Sequence, residues 1–183
     1  PVTRYEEYDF EEHRPDMIFI HNAFDDRNYV TSVHPFFYSE NLKKFTEKLV
    51  YIPYFVLAEI DPKDRKAVEG TAHFCTAPGV FNADRVIVQS ENMRQVYINV
   101  LTEYMKKNAG RDTREYWENK ISGLGSPKFD KVQNTKKEDA AVPEKWRDII
   151  EKKDGSRRKI VLYNTSVTAL LQYEEKMLDK IED

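Results

Sequence analysis

The chain has 183 residues, of which 32 are acidic and 29 basic, and its formal net charge is −3. This length suggests one domain or slightly more, and an aromatic content of 13% argues against a chain that is disordered throughout. The charge balance excludes a polycationic nucleic-acid binder, and no apolar run approaches the ~20 residues of a membrane helix. The single cysteine, Cys75, excludes an intrachain disulfide and favours a reducing, cytoplasmic setting.

Three short apolar runs and a fourth, weaker segment at Ile121 to Gly125 predict the strands of one sheet. The first, Met17 to Ile20, shows no alternation of apolar and polar residues, which is typical of a parallel strand buried on both faces. The predicted strands are residues 17–21, 49–53, 85–89 and 121–125.

Helical patterns lie between these strands. Apolar residues from Met93 to Met105 recur at the spacing of one helix face, with Ser90 as the N-cap and Gly110 as the stop, so a helix is expected over 91–107. Shorter helices are expected over 40–48 and within 67–80, whereas 111–119 is expected to be a polar bridge. The alternation of strands and helices predicts an α/β fold with a doubly wound, Rossmann-like parallel sheet.

The composition changes after residue 130. Charged residues dominate 131–157, which predicts an exposed linker with a short helix docked by Trp146, Ile149 and Ile150. A new apolar run, Lys159 to Tyr163, is followed by a helical pattern. We therefore expect three parts: a Rossmann-like domain over 1–130, a linker over 131–157, and the start of a second α/β domain over 158–183. The chain begins without Met and stops within a predicted helix, so we expect a piece of a longer protein.

Ligands bind at the carboxyl ends of the strands in such sheets, which selects a small set of polar residues. Two of the serines also begin predicted helices, where free N–H groups can bind phosphate, although capping is the commoner use of such a serine. The candidate binding residues are His21, Asn22, Tyr54, Ser90, Ser126 and Ser166.

Other chemistry has weaker signals in the sequence. No glycine fingerprint for dinucleotides and no phosphate-binding P-loop is present, and the histidines lack metal-ligand spacing. His21 beside Asp25 and Asp26 could hold a cation, but such loop carboxylates are more often solvated, so no metal is expected. Cys75 is expected to be a buried thiol.

The run from Gly123 to Val132 (GLGSPKFDKV) resembles the G-x-P-R-x-D element of CDP-glycerol glycerophosphotransferase-like proteins, the teichoic-acid polymerase family. Residues 83–93 are similar to that family's strand leading into a helix, and 159–166 look like the first strand of its second, donor-binding domain. The resemblance implies a GT-B glycosyltransferase fold, with this chain covering the acceptor-side domain and the start of the donor-binding domain.

The implied reaction passes a glycerophosphate or glycosyl group from a CDP- or UDP-linked donor to a hydroxyl of a polymer or lipid-linked acceptor, in the cytoplasm or at the inner face of the membrane. The resemblance implies no metal and no other cofactor. The family's catalytic His-Gly has no counterpart, because Pro53-Tyr54-Phe55 stands there, and Lys128 replaces an arginine. The histidines left to act as general base are His34 and His73, although His73 on a helix is more often structural.

The sequence is also compatible with two other functions. The Tyr54-Phe55 replacement favours a catalytically inactive binding module or pseudo-enzyme with the same fold. A stand-alone regulatory domain is the third possibility, and the trailing strand–helix pattern argues against it.

Overall fold

The structure, a computed structural model, describes residues 2–28, 32–139, 141–156 and 158–161, together with single positions and a short stretch between 171 and 179. The chain divides into two compact units, Pro1–Asn134 and Thr135–Asp183. The strands assigned in the described residues all belong to the first unit.

Four parallel strands form one sheet, and their spatial order, β1-β2-β3-β4, is the order of the chain. This confirms the predicted α/β class with a Rossmann-like parallel sheet flanked by helices. The strands are β1 (Met17–Ile20), β2 (Lys48–Tyr51), β3 (Arg85–Val88) and β4 (Ile121–Gly123).

Helices follow and connect these strands, so that each parallel pair is joined by a crossover, as parallel pairing requires. The helices of the first unit are α1 (Phe10–His13), α2 (Ser39–Leu42), α3 (Arg65–Cys75), α4 (Pro78–Asn82), α5 (Glu91–Ala109), α6 (Arg114–Lys120) and α7 (Pro127–Asn134). Short 3-10 helices, each of one turn, lie at Tyr5–Glu7, Asp25–Arg27 and Pro35–Phe37.

Helix α5 begins and ends where local chemistry predicts. The Ser90 hydroxyl accepts a hydrogen bond from the Met93 N–H at 3.1 Å, which satisfies one free donor of the first turn. Gly110 has φ +62° and its N–H donates to the Lys106 carbonyl at 3.1 Å, which closes the last turn. The apolar face is confirmed, except that Tyr104 near its end is 41% exposed.

The hydrophobic core lies on one face of the sheet. Residues paired across parallel strands share a face, and the pairs Ile18–Leu49, Tyr51–Val86 and Val86–Ile121 all contribute to the core cluster. Helix α5 packs against this face through buried side chains. Those side chains are Met93, Val96, Tyr97, Ile98 and Leu101.

We call the other side of the sheet the second face; it carries Met17, Phe19, Val50 and Ile87, which alternate with the core residues. These four side chains do not belong to the core cluster. The prediction that the first strand is buried on both faces is therefore wrong for β1: Met17 is 42% and Phe19 53% exposed. The reason is that β1 is an edge strand, and only its side that faces the core is covered by other residues.

Two segments differ from the sequence prediction because their packing is not local. The 111–119 segment contains most of α6, which buries Trp117 against Phe81, at 5.7 Å between ring centroids. Helix α2 is only four residues long, and Ser39 is its first residue rather than its N-cap. The Ser39 hydroxyl instead donates to the buried Asp25 carboxylate at 2.6 Å.

The second unit contains α8 (Glu144–Ile150), a helix predicted around Trp146. Of the three residues expected to dock this helix, Trp146 is 52% and Ile149 60% exposed, whereas Ile150 is half-buried. Residues 158–161 carry no assigned strand, and the remainder of the predicted 159–163 strand lies outside the described residues, as does Ser166.

Candidate functional site

The carboxyl ends of β1 and β2 meet through main-chain contacts that place three of the predicted residues together. The Tyr54 N–H donates to the His21 carbonyl at 3.2 Å, and His21 Nδ1 lies 2.9 Å from the Ile52 carbonyl oxygen. Asn22 accepts a hydrogen bond from the Phe24 N–H at 2.9 Å, which shapes the turn after β1. The Tyr54 side chain is 45% exposed, so this end of the sheet presents an imidazole and a phenol to solvent.

Segment 52–60, which follows β2, is held at the end of β3 by hydrogen bonds from two side chains. Gln89 accepts from the Leu57 N–H at 2.8 Å and donates to the Leu57 carbonyl at 2.8 Å, as a neighbouring strand would. The Ser90 hydroxyl donates to the Glu59 carboxylate at 2.7 Å. A carboxylate therefore lies at the positive end of the α5 dipole, where negative charge is stabilised.

Glu59 is a residue of this edge that the sequence does not predict. It follows no strand directly and belongs to no motif, and its contact with Ser90 spans 31 residues of the chain. The nearest signal in the sequence is Ser90 itself, a predicted N-cap at a strand end.

The glycine-rich turn after β4 completes the edge. A side chain at Gly123 would place its Cβ 2.5 Å from the Ser90 carbonyl oxygen, so only glycine lets β4 approach the start of α5. Gly125 has φ +105°, and its N–H donates to the Val88 carbonyl at 3.2 Å. Ser126 follows, 7% exposed, and its carbonyl accepts from the Phe129 N–H at 2.9 Å at the start of α7.

A narrow crevice opens between these ends, with a free volume of about 10 Å³, the room of roughly one water. Its walls come from segment 52–57, the end of β3, α5 and the 123–126 turn. Tyr97, on one wall, is 1% exposed, and its hydroxyl has no hydrogen-bond partner in the described part of the chain. Burial raises the pKa of Tyr97 well above its ordinary value, so this phenol is neutral.

Cys75 is fully buried, as predicted. Burial raises the pKa of its thiol, which removes the thiolate that a nucleophile or a metal ligand requires. Tyr51 lies in the same core, where burial and the neighbouring Tyr54 raise the pKa of its phenol.

The two histidines predicted as general bases lie in aromatic surroundings. His34 begins the 35–37 turn, where its Nδ1 accepts from the Phe36 N–H at 3.3 Å, and its ring centroid is 6.0 Å from that of Tyr5. His73 is exposed on α3, and its ring lies tilted against that of Phe74, at 3.9 Å between centroids. Within the described residues, no hydrogen bond or ring contact given by the structure joins either histidine to the sheet edge.

The carboxylate of Asp25, a candidate cation ligand beside His21, is used inside the protein. Asp25 is 6% exposed with φ +49°, and it accepts hydrogen bonds from both the hydroxyl (2.6 Å) and the N–H (3.0 Å) of Ser39. The Asn82 amide donates to the same hydroxyl at 2.9 Å. This network ties the turn after β1 to α2 and α4.

Among the residues that the structure describes, no group of three or more His, Cys, Asp or Glu side chains could hold a metal ion. Over the same residues, no helix is long and apolar enough to cross a membrane. Comparisons with protein-family models, with curated proteins and with solved structures found no match for this chain.

Proposed function

We propose that the first unit is the acceptor-side domain of a GT-B-type transferase. In this proposal a glycerophosphate or glycosyl group moves from a CDP- or UDP-linked donor to a hydroxyl of a cell-envelope polymer or its lipid-linked precursor. The observation that carries the proposal is the carboxyl edge of the sheet. Ser90, Glu59 and the 123–126 turn lie together there, at the starts of α5 and α7, which is where parallel α/β sheets bind their ligands.

For glycerophosphate transfer, the acceptor hydroxyl oxygen forms a new bond to phosphorus while the bond to the nucleoside monophosphate breaks. The hydroxyl proton must pass to a general base. Glu59 is a carboxylate at the sheet edge, and the hydrogen bond from Ser90 at 2.7 Å fixes its orientation. We therefore propose Glu59 as the base, with His34 and His73 as the candidates that the sequence offers.

His21, Asn22 and Tyr54 are proposed to contact the acceptor, since they lie at the same edge beside Ile52. Ser90 orients the base rather than touching phosphate, because its hydroxyl already accepts from Met93 and donates to Glu59. The buried Ser126 holds the turn at the start of α7. The proposed setting remains the cytoplasm, at the inner face of the membrane, where lipid-linked acceptors are available.

The test is a turnover assay of the complete gene product with CDP-glycerol and UDP-sugar donors. Glu59→Gln keeps the size of the side chain and a hydrogen-bond acceptor for Ser90, but it cannot take the proton. We expect this variant to lower kcat ~100-fold or more. Ser90→Ala should lower kcat less, because the carboxylate remains. His34→Ala and His73→Ala are the matched comparisons. A loss of turnover in only one of these two variants would assign the base to that histidine.

A catalytically inactive binding module is the second candidate, and the exposed Tyr54 favours it. Tyr54 stands where the resembling family has its catalytic histidine, so the base that this family uses is missing at that position. This function predicts a nucleotide- or polyol-dependent rise in the midpoint of thermal unfolding, without turnover of any donor. Measurable turnover would exclude it.

A further inference from the structure

His21, the first residue after β1, makes two contacts that fix its ring at the carboxyl edge of the sheet. Its Nδ1 lies 2.9 Å from the Ile52 carbonyl oxygen, and its own carbonyl accepts from the Tyr54 N–H at 3.2 Å. A carbonyl oxygen can only accept a hydrogen bond, so Nδ1 must carry a proton. In the neutral imidazole the other nitrogen, Nε2, therefore holds a lone pair and no proton.

Nε2 is the nitrogen of this ring that is left for a ligand. The His21 side chain is exposed, and within the described residues no hydrogen bond given by the structure involves its Nε2. A lone pair accepts a hydrogen bond from a hydroxyl group, whereas it has no proton to donate to a phosphate oxygen. The tautomer thus determines which class of group this ring can bind.

The turn that carries His21 is held in place before any ligand binds. The Gly79 N–H donates to the Ala23 carbonyl at 2.8 Å, and a Cβ at Gly79 would lie only 2.8 Å from the Ala23 Cα, so α4 approaches this turn closely. Two residues further on, the buried Asp25 carboxylate accepts from the N–H and the hydroxyl of Ser39 at 3.0 and 2.6 Å. A ring on a fixed turn loses little freedom on binding, which favours affinity.

The charges at this end of the edge are unfavourable for an anion. Segments 17–26 and 49–62, which contain β1, most of β2 and the residues after them, have no lysine or arginine. Their charged residues are Asp25, Asp26, Glu59 and Asp61. Arg27, which comes next in the chain, donates from its guanidinium to the Thr76 carbonyl at 3.0 Å. A phosphate would therefore meet negative charge here, whereas an uncharged hydroxyl group meets no such repulsion.

We propose that His21 is a specificity-determining residue, whose Nε2 accepts a hydrogen bond from a hydroxyl of an uncharged polyol or sugar group. Tyr54, whose phenol can both donate and accept, is held beside it by the main-chain hydrogen bond. The pair selects such a group over phosphate. The proposal rests on the proposed function only in taking this group to be part of the transfer acceptor. The hydroxyl bound by His21 orients the acceptor, and Glu59 remains the base for the reacting hydroxyl.

The first measurement is the tautomer of His21, which nitrogen NMR of the imidazole rings in the 183-residue chain reports directly. The spectrum is recorded at pH ~8, above the usual titration range of histidine. The His21 signals are assigned by their loss in His21→Asn. We expect a proton on Nδ1 and none on Nε2, and the opposite tautomer would overturn the proposal.

The second measurement is ligand binding, with glycerol as the uncharged probe and inorganic phosphate as the anion. Each is titrated into the chain at matched ionic strength. We expect glycerol to shift the Nε2 signal of His21 and phosphate to leave it unchanged, while the ring of His73, exposed on α3, responds to neither. A missing response to glycerol, or a response to phosphate as large as that to glycerol, would refute the selection.

Two substitutions separate recognition from a purely structural role. Asparagine can place its amide N–H near Nδ1 and keep the bond to Ile52, whereas glutamine reaches the position of Nε2 and can accept there. His21→Asn should weaken glycerol binding, followed on the Tyr54 amide signal, by ~3- to 10-fold, the effect of one hydrogen bond, with an unchanged unfolding midpoint. His21→Gln should keep most of the binding. The reverse order, with binding and stability lost together in His21→Gln, would reduce His21 to a support for Ile52. None of these measurements requires turnover, so a failed transfer assay would refute the proposed function alone.

Discussion

A buried lysine before β4 allows a test of the structure that needs no knowledge of function. Lys120 is 3% exposed, and its ammonium donates to the Phe81 carbonyl at 2.7 Å and to the Tyr116 hydroxyl at 3.3 Å. It also lies 5.2 Å from the ring centroid of Trp117. Burial and the nearby charge of Lys43 lower the pKa of Lys120 from 10.5 to about 8, against a smaller opposing effect of Asp84.

The direction of the pH effect follows from this lowered pKa. Between pH 8 and 10.5 the unfolded chain carries the proton on Lys120 and the folded chain does not. The contribution of Lys120 to the free energy of unfolding therefore increases with pH across that interval, by ~3 kcal/mol in all at ~1.36 kcal/mol per pKa unit. About 2 kcal/mol of this change is expected between pH ~7 and pH ~9.5.

The assay is urea unfolding of the chain and of its Lys120→Met variant, which keeps the apolar stem and removes the charge. Both carry Trp146→Phe, so that the buried Trp117 is the only tryptophan and its fluorescence reports the first unit. The stability of the chain relative to the variant should rise by about 2 kcal/mol from pH ~7 to pH ~9.5.

The difference in the free energy of unfolding between the two proteins cancels the opposing effect of Cys75, because both contain this residue. The raised pKa of its thiol makes folding less favourable as pH rises. A difference that stays flat with pH would refute the description of Lys120 as a buried cation.

Three further perturbations test the packing. Leu101→Ala, at a fully buried position of α5, should lower the free energy of unfolding by ~2–5 kcal/mol in urea. Gly123→Ala should lower the unfolding midpoint, because its Cβ would meet a backbone oxygen at 2.5 Å; Gly70→Ala, with open space in α3, is the control and should stabilise by up to ~1 kcal/mol. Trypsin should cut first after Lys136 or Lys152, in exposed segments, and an early cut within 85–123 would contradict the fold.

The parts of the fold that the sequence predicts are those set by local chemistry. Strands β1, β2 and β3 follow from short apolar runs, and α5 follows from its apolar spacing with Ser90 and Gly110 at its ends. Helix α6 has no such pattern, since Trp117 is its only large core residue and its burial depends on Phe81, far away in the chain. The exposure of Met17 and Phe19 was equally unpredictable, because it depends on strand order rather than on residue type.

The candidate site, like the fold, is predictable from the sequence only where local chemistry sets it. Positions after strands could be predicted to share an edge, since parallel strands end together. Glu59 could not, because its place results from the two hydrogen bonds between Gln89 and Leu57, which hold a segment without secondary structure against β3. For His34 and His73 the sequence offers residue type alone, and the ring contacts of both are with aromatic side chains away from this edge.

The glycine-rich turn illustrates why a motif needs a separate test of function. Gly123 is required by the approach of β4 to α5, and Gly125 by its positive φ, so both would be needed in a domain that binds no phosphate. Substituting them tests the fold. Glu59→Gln is the sharper test of function, because this side chain is exposed, its removal leaves the core unchanged, and its hydrogen bond to Ser90 can be kept. A loss of turnover in that variant, with an unchanged unfolding midpoint, would separate the chemistry of this edge from its architecture.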